Sequence, residues 1–247
     1  LMGYVDRFMI GAVVSAAAVA YYTTPQEIVT KLWIIPGAIT AVLFPTFATQ
    51  LLSDNKAVSQ RLFNKSLKAL FFVLLPTTAL LSIFAHEILS LWIGSDFADH
   101  SAIFLRIFAV GILINCMAHV PFTLIQSAGA PKLVALVHLY ELPFFVAALW
   151  LLGGQYGAAG AAYAWLGRMV IDTFLMFAIA RPILGTSGIP LLSPKVVLYI
   201  VIGAVTHAGM FDQSAVGRLL YRIFIVLFSA SVLISDWKAG RTLPIKA

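Results

Sequence analysis

The chain has 247 residues, of which 61% are hydrophobic and only 11% charged, with a net charge of +6 and a mean hydropathy of +0.97. Soluble domains typically carry about 45–50% apolar and about 25% charged residues, so composition excludes a water-soluble globule and points to a polytopic membrane protein. A single cysteine, Cys116, excludes an internal disulfide and any cysteine-based metal cage.

Long apolar runs broken by glycine, proline and charge predict one partial span at 1–20 and whole spans near 24–50, 67–92, 102–127, 132–153, 157–181, 194–210 and 217–236. Unpaired backbone groups in lipid cost several kcal/mol each, and barrel-type alternation is missing, so the spans are read as helices. The expected fold is an all-α integral membrane helix bundle. Position 1 is Leu, and the chain opens inside an apolar stretch with no signal peptide. The sequence is therefore expected to be the carboxy-terminal part of a longer protein.

The first, partial span carries Asp6 and Arg7, and the "TTPQE" stretch is expected to turn the chain into the second. Loop charges then set the orientation. Lys56, Arg61, Lys65 and Lys68 lie in a 51–68 loop, Lys132 in the 128–132 turn, Arg181 and Lys195 in the 181–195 connection, and Lys238, Arg241 and Lys246 in the tail. An eight-helix threading puts all of these on one side, whereas "TTPQE", "GSDFADHS" and "GGQYG" opposite them hold no Lys or Arg. The basic side, including the C-terminus, is expected to be cytoplasmic. Arg218 and Arg222 run against the rule: either they snorkel to the interface or the last span begins later than residue 217. The positive charge is thus a topology signal and not a nucleic-acid footprint.

Within the spans, polar residues mark a candidate interior. Asn115, His119, Thr123 and Gln126 fall within about 80° of one helix face at 100° per residue. Such an arc either meets water or packs against neighbouring helices. Pro36, Pro45, Pro76, Pro121 and Pro143 are each expected to kink a span. Gly157, Gly160, Ala161, Ala164 and Gly167 form small-residue packing faces.

Glu141, Arg168 and Asp172 are the ionisable groups deepest in apolar sequence. A charge at the bilayer centre costs at least about 2.5–3.5 kcal/mol, so these residues should face a bundle interior or a wet cavity. Arg168 and Asp172, four residues apart, share a face and are expected to neutralise one another as a structural pair. Glu141 is expected to couple to Arg168 across adjacent helices. The alternative is that the three line a substrate path or respond to protons. His86, His100, His119, His138 and His207 are scattered singly, and no nucleophile–base arrangement can be assembled. No metal site, cofactor or catalysis is expected.

Two stretches carry a family resemblance. "DRFMIGAVVSAAAVAYYTTPQEIVTKLWIIPGAITAVLFPTFA" has an acidic residue in one helix, a "Y-x-x-P" step and a helix ending in "LFP". "ELPFFVAALWLLGGQYGAAGAAYAWLGRMVIDTFLM" has Glu-Leu-Pro, then Gly-x-x-Gly-Ala-Ala, then Arg and Asp. Over about 6–181 the chain resembles bacterial polysaccharide-biosynthesis flippases of the Wzx type, in the multidrug/oligosaccharidyl-lipid/polysaccharide exporter superfamily. The resemblance implies that 1–181 is a C-terminal six-helix lobe with a truncated first helix. Residues 182–247 would add two transmembrane helices and a cytoplasmic tail. It implies translocation of an undecaprenyl-diphosphate-linked oligosaccharide across the bacterial inner membrane by alternating access. The implied partners are the lipid bilayer, the lipid-linked oligosaccharide and a missing N-terminal lobe, with no nucleic acid. Carried over by motif position, Asp6, Arg7, Glu141, Arg168 and Asp172 join the polar stripe as cavity candidates. A peptidoglycan-precursor flippase or a cation-coupled drug exporter of the same superfamily is the nearest alternative. A membrane-embedded glycan ligase or polymerase would need a large extracytoplasmic loop, and the loops here are short. A non-transporting scaffold partner sits poorly with the intramembrane charges.

Overall fold

A computed structural model describes residues 4–53 and 55–185. The two spans predicted at 194–210 and 217–236 lie outside these residues, as do Arg218, Arg222, His207 and the basic tail. Among the described residues the chain is an all-α membrane bundle with no strand. Its helices are α1 (Val5–Val13), α2 (Ala16–Thr30), α3 (Ile34–Leu52), α4 (Lys56–Ile83), α5 (Ala85–Trp92), α6 (Ser95–Ser127) and α7 (Pro131–Leu184).

The first turn falls earlier than "TTPQE". Ser15 is extended, and its hydroxyl accepts the Ala18 amide at 3.0 Å, capping α2. The predicted turn residues are helical and lie within α2. A 3₁₀ turn, Lys31–Trp33, joins α2 to α3. Pro36 lacks the amide that would bond the carbonyl of residue 32, which accounts for the tighter winding there. The pair α2–α3 covers Ala16–Leu52, long and apolar enough to cross a bilayer.

The basic loop expected at 51–68 is mostly helix as well. Asn55 caps α4 by accepting the Val58 amide at 3.3 Å. Ser59, Phe63, Ser66, Leu70 and Leu74 form its buried stripe, while Arg61, Lys65 and Lys68 stay exposed along another face. That pattern is an amphipathic entry into the membrane, with its cations placed for headgroups.

α7 is a hairpin rather than one rod. At Gly157 the backbone adopts φ 59° and ψ −140°, a combination open to glycine but not to side chains with a Cβ. An outgoing arm, 131–156, and a return arm, 158–184, run antiparallel as a result. On the outgoing arm Val134, Glu141, Phe145, Leu149 and Gly153 are buried; on the return arm Ala161, Trp165, Met169, Asp172 and Met176 are. Both sets recur at helical spacing. Near the reversal, a Cβ on Gly160 would collide with the Leu152 carbonyl. Gly167, by contrast, has nothing near its missing Cβ and is not a packing glycine.

α6 is the central staff. Of its most apolar stretch 67% is buried inside the protein, against 17–33% for the other spans. Tyr22 of α2 and Trp165 of α7 each meet the Phe108 ring edge-on, at 5.0 and 5.1 Å between centroids. The remaining apolar surface, such as Ile34, Val42, Phe144 and Trp150, faces outward as lipid-facing residues do.

Contacts fix which ends coincide. Ser127 at the end of α6 donates to the Phe44 carbonyl of α3, and Gly185 lies beside the Lys56 side chain. Lys56, Lys132 and Arg181 therefore gather at one end of the bundle. At the other end His86 meets Asp99 at 2.8 Å and Tyr21 stacks on His100.

Replacing Gly160 with alanine should overpack the hairpin by about 1–3 kcal/mol and lower the thermal unfolding midpoint in detergent. Gly37→Ala, with nothing within 4 Å of the new methyl, should leave the midpoint unchanged or slightly raised. Equal midpoints for the two variants would contradict the close approach at residue 160.

Candidate functional site: a mid-depth polar network opening on a cavity

The polar residues converge in two layers. The first joins α1 to α2. Asp6, 1% exposed, accepts from the Tyr22 hydroxyl at 2.7 Å, Gln26 Nε2 at 2.9 Å and the Arg7 amide at 2.9 Å. Three donors satisfy a carboxylate that would otherwise be stranded in apolar surroundings. Arg7 is held in turn by Gln26 Oε1 (3.2 and 3.3 Å) and Glu27 Oε1 (3.1 Å). The early turn at Ser15 is what lays α1 back along α2 and makes these contacts possible.

The second layer crosses four segments near the middle of the long helices. Trp33 Nε1 donates to Asn115 Oδ1 at 3.0 Å, and Asn115 Nδ2 donates to Asp172 Oδ2 at 3.4 Å. Asp172 Oδ1 faces His138 Nε2 at 3.2 Å. A carboxylate oxygen only accepts, so the imidazole carries its proton on Nε2. The links thus run from the 3₁₀ turn through α6 and the return arm to the outgoing arm.

Arg168 and Asp172 do not form the self-contained pair that their spacing suggests. Both oxygens of Asp172 are taken by Asn115 and His138, and Arg168 turns to Glu141, with Nε 3.9 Å from Oε2. Its guanidinium also sits 5.3 Å from the Phe145 ring centroid, a cation–π contact. Pairing across the hairpin wins because both arms bury the same stripe, placing Glu141 opposite Arg168 and His138 opposite Asp172. At 3.9 Å the Arg168–Glu141 contact is an ion pair without a hydrogen bond. Glu141, 6% exposed, has both carboxylate oxygens without a hydrogen-bond partner among the described residues.

These layers border a cavity of about 540 Å³, whose lining includes Arg7, Glu27, Lys31, Trp33, Asn115, His119, His138, Arg168 and Asp172. Three cations and two carboxylates share its lining. A second pocket of about 310 Å³ continues beside α3 and is lined by Gly37, Thr40, Ala41, Phe44, His119, Phe122, Thr123 and Gln126. All four stripe residues of α6 are therefore lining residues: Asn115 in the larger cavity, Thr123 and Gln126 in the smaller, His119 in both. Thr123 spends its hydroxyl proton on the His119 carbonyl at 2.7 Å. Asp6 and Glu141 lie behind the cavity wall as buried supports.

Sequence reasoning missed Gln26, Glu27, Lys31 and Trp33, because each belongs to a stretch read as a turn or as plain apolar helix. His138 was noticed but read as solitary. Its position three residues before Glu141, and so on the same helix face, was the signal that could have joined them.

Comparisons with known proteins agree with the resemblance. Residues 1–102 match the family model described as polysaccharide biosynthesis protein. A Shigella flexneri protein named "Putative O-antigen transporter" is 34% identical over 176 residues, covering 71% of this chain and 41% of that protein. The chain thus spans about two fifths of that relative's length. No solved structure matches it. The order of its motifs, the all-α membrane bundle and these matches lead to one conclusion: the chain belongs to the Wzx-type polysaccharide-biosynthesis family of membrane proteins.

Proposed function

We propose that the chain forms one lobe of a flippase that moves a lipid-linked oligosaccharide across the bacterial inner membrane. The observation that carries this reading is the mid-depth cavity, where Arg7, Lys31 and Arg168 share the lining with Asn115 and His119 of the α6 stripe. Guanidinium and ammonium groups match a diphosphate, and amide and imidazole groups match sugar hydroxyls. The lipid tail would stay in the bilayer beside the exposed apolar faces. A relative named as an O-antigen transporter supports a glycan cargo over a drug. It also favours transport over catalysis.

On this reading residues 1–181 are the second lobe, 182–247 supply two added helices and a tail, and a separate N-terminal lobe closes the cavity. Alternating access would expose the wall first to the cytoplasm and then to the periplasm. The basic end of the bundle would face the cytoplasm, together with the C-terminus.

Lys31 is exposed in the cavity, so its removal should leave the fold intact. Lys31→Gln and Arg7→Gln, made at full natural length, should each weaken cargo binding about 10–150-fold, from about 1.5–3 kcal/mol per lost charged hydrogen bond. In cells that depend on the protein, surface glycan should fall and its lipid-linked precursor accumulate. Unchanged surface glycan in both variants would overturn the reading.

Orientation is checked separately with Cys116, which is buried, as a silent background. An impermeant maleimide should label Asp96→Cys in cells with an opened outer membrane, and Lys65→Cys only after the inner membrane is breached. The reverse pattern would contradict a cytoplasmic basic end.

A further inference from the structure

The flippase reading makes no use of the convergence of His138, Glu141 and Asp172. One ligand atom from each lies within 4.8 Å of the other two. His138 and Glu141 sit one turn apart on the outgoing arm, and Asp172 reaches them from the return arm. We propose that these three residues form a binding site for one divalent first-row transition-metal ion.

Three features carry this. The donor set is an imidazole and two carboxylates, which suits zinc, iron, cobalt or manganese better than alkali ions. Bonds of about 2.0–2.2 Å in a tetrahedral site put ligand atoms about 3.3–3.6 Å apart. His138 Nε2 and Asp172 Oδ1 already stand at 3.2 Å, and the remaining separations, within 4.8 Å, close by side-chain movement. Glu141 supplies the independent sign. It is 94% buried by its 6% exposure, it points into the cluster, and neither oxygen has a hydrogen-bond partner among the described residues. An ion would satisfy Oε1 while Oε2 keeps its contact with Arg168.

Charge is consistent with that assignment. Two carboxylates, one guanidinium and a neutral imidazole sum to −1, so a divalent ion leaves +1, shared with the cavity. On binding, His138 shifts its proton from Nε2 to Nδ1 and offers the Nε2 lone pair, so the imidazole stays neutral. Three protein ligands leave a fourth position open. His138 and Asp172 both line the cavity, so an ion can enter from there. Bound, it would clamp the two arms together 15–19 residues from the reversal at Gly157.

The test uses the full-length protein in detergent, titrated with Co²⁺ and followed by visible absorption, and with Zn²⁺ followed by thermal unfolding. One equivalent should bind and raise the unfolding midpoint. His138→Ala and Asp172→Asn should each weaken binding at least tenfold. His86→Ala and His100→Ala remove histidines at the far end of the bundle and should leave binding unchanged. Should His138→Ala fail to fold, His138→Cys keeps a ligand and should add a thiolate-to-cobalt charge-transfer band that the unaltered protein lacks. No saturable binding, binding lost in His86→Ala or His100→Ala, or a His138→Cys protein without that band would overturn the site. Transport is not the readout, so failure here is distinguishable from failure of the flippase reading.

Discussion

Placing a carboxylate at mid-depth in a membrane bundle is the constraint on which the rest of this structure depends. Asp172 meets it by dividing its two oxygens between Asn115 and His138. That division ties the central helix to both arms of the α7 hairpin, and Trp33 extends it to the turn between α2 and α3. Arg168 is thereby released from its near neighbour and turns to Glu141. Each ionisable group finds its partner on a different segment, so the polar network fixes how the segments sit against one another. Charges that are expensive to embed become links between helices.

The same arrangement opens the wall it supports. The network borders the cavity lined by Arg7, Lys31, Asn115 and His119. Asp6 and Glu141 stand behind the lining, while Arg7, Asn115, His119, Arg168 and Asp172 are on it. On the proposed reading, a wall built this way would present its donors to an anionic headgroup. Among the described spans α6 is the most deeply buried although it carries four of the candidate residues.

Much of this was legible in the sequence, for identifiable reasons. Hydropathy located the helices because only long apolar runs can cross lipid, and the 100° periodicity of α6 placed Asn115, His119, Thr123 and Gln126 on one lining face. Boundaries were less legible where a cap outweighed composition: Ser15 moved the first turn ahead of "TTPQE", and Asn55 drew the basic residues into α4. Pairing was least legible. Spacing shows that Arg168 and Asp172 share a face, but not what lies opposite. The fold-back at Gly157 decides that, and it brings His138 and Glu141, 34 and 27 residues away, into reach. Gly157 itself was noticed for its size when its backbone conformation mattered more.

The central claim is that the intramembrane charges couple across the hairpin rather than along one helix. A double-mutant cycle on thermal unfolding, with Glu141→Gln, Arg168→Gln and Asp172→Asn singly and in pairs, tests it most directly. The account predicts that Glu141→Gln with Arg168→Gln destabilises by less than the sum of the single changes, with a coupling of at least about 1 kcal/mol. Arg168 with Asp172 should couple more weakly. Additive losses for the Glu141–Arg168 pair, or a stronger coupling between Arg168 and Asp172, would contradict it.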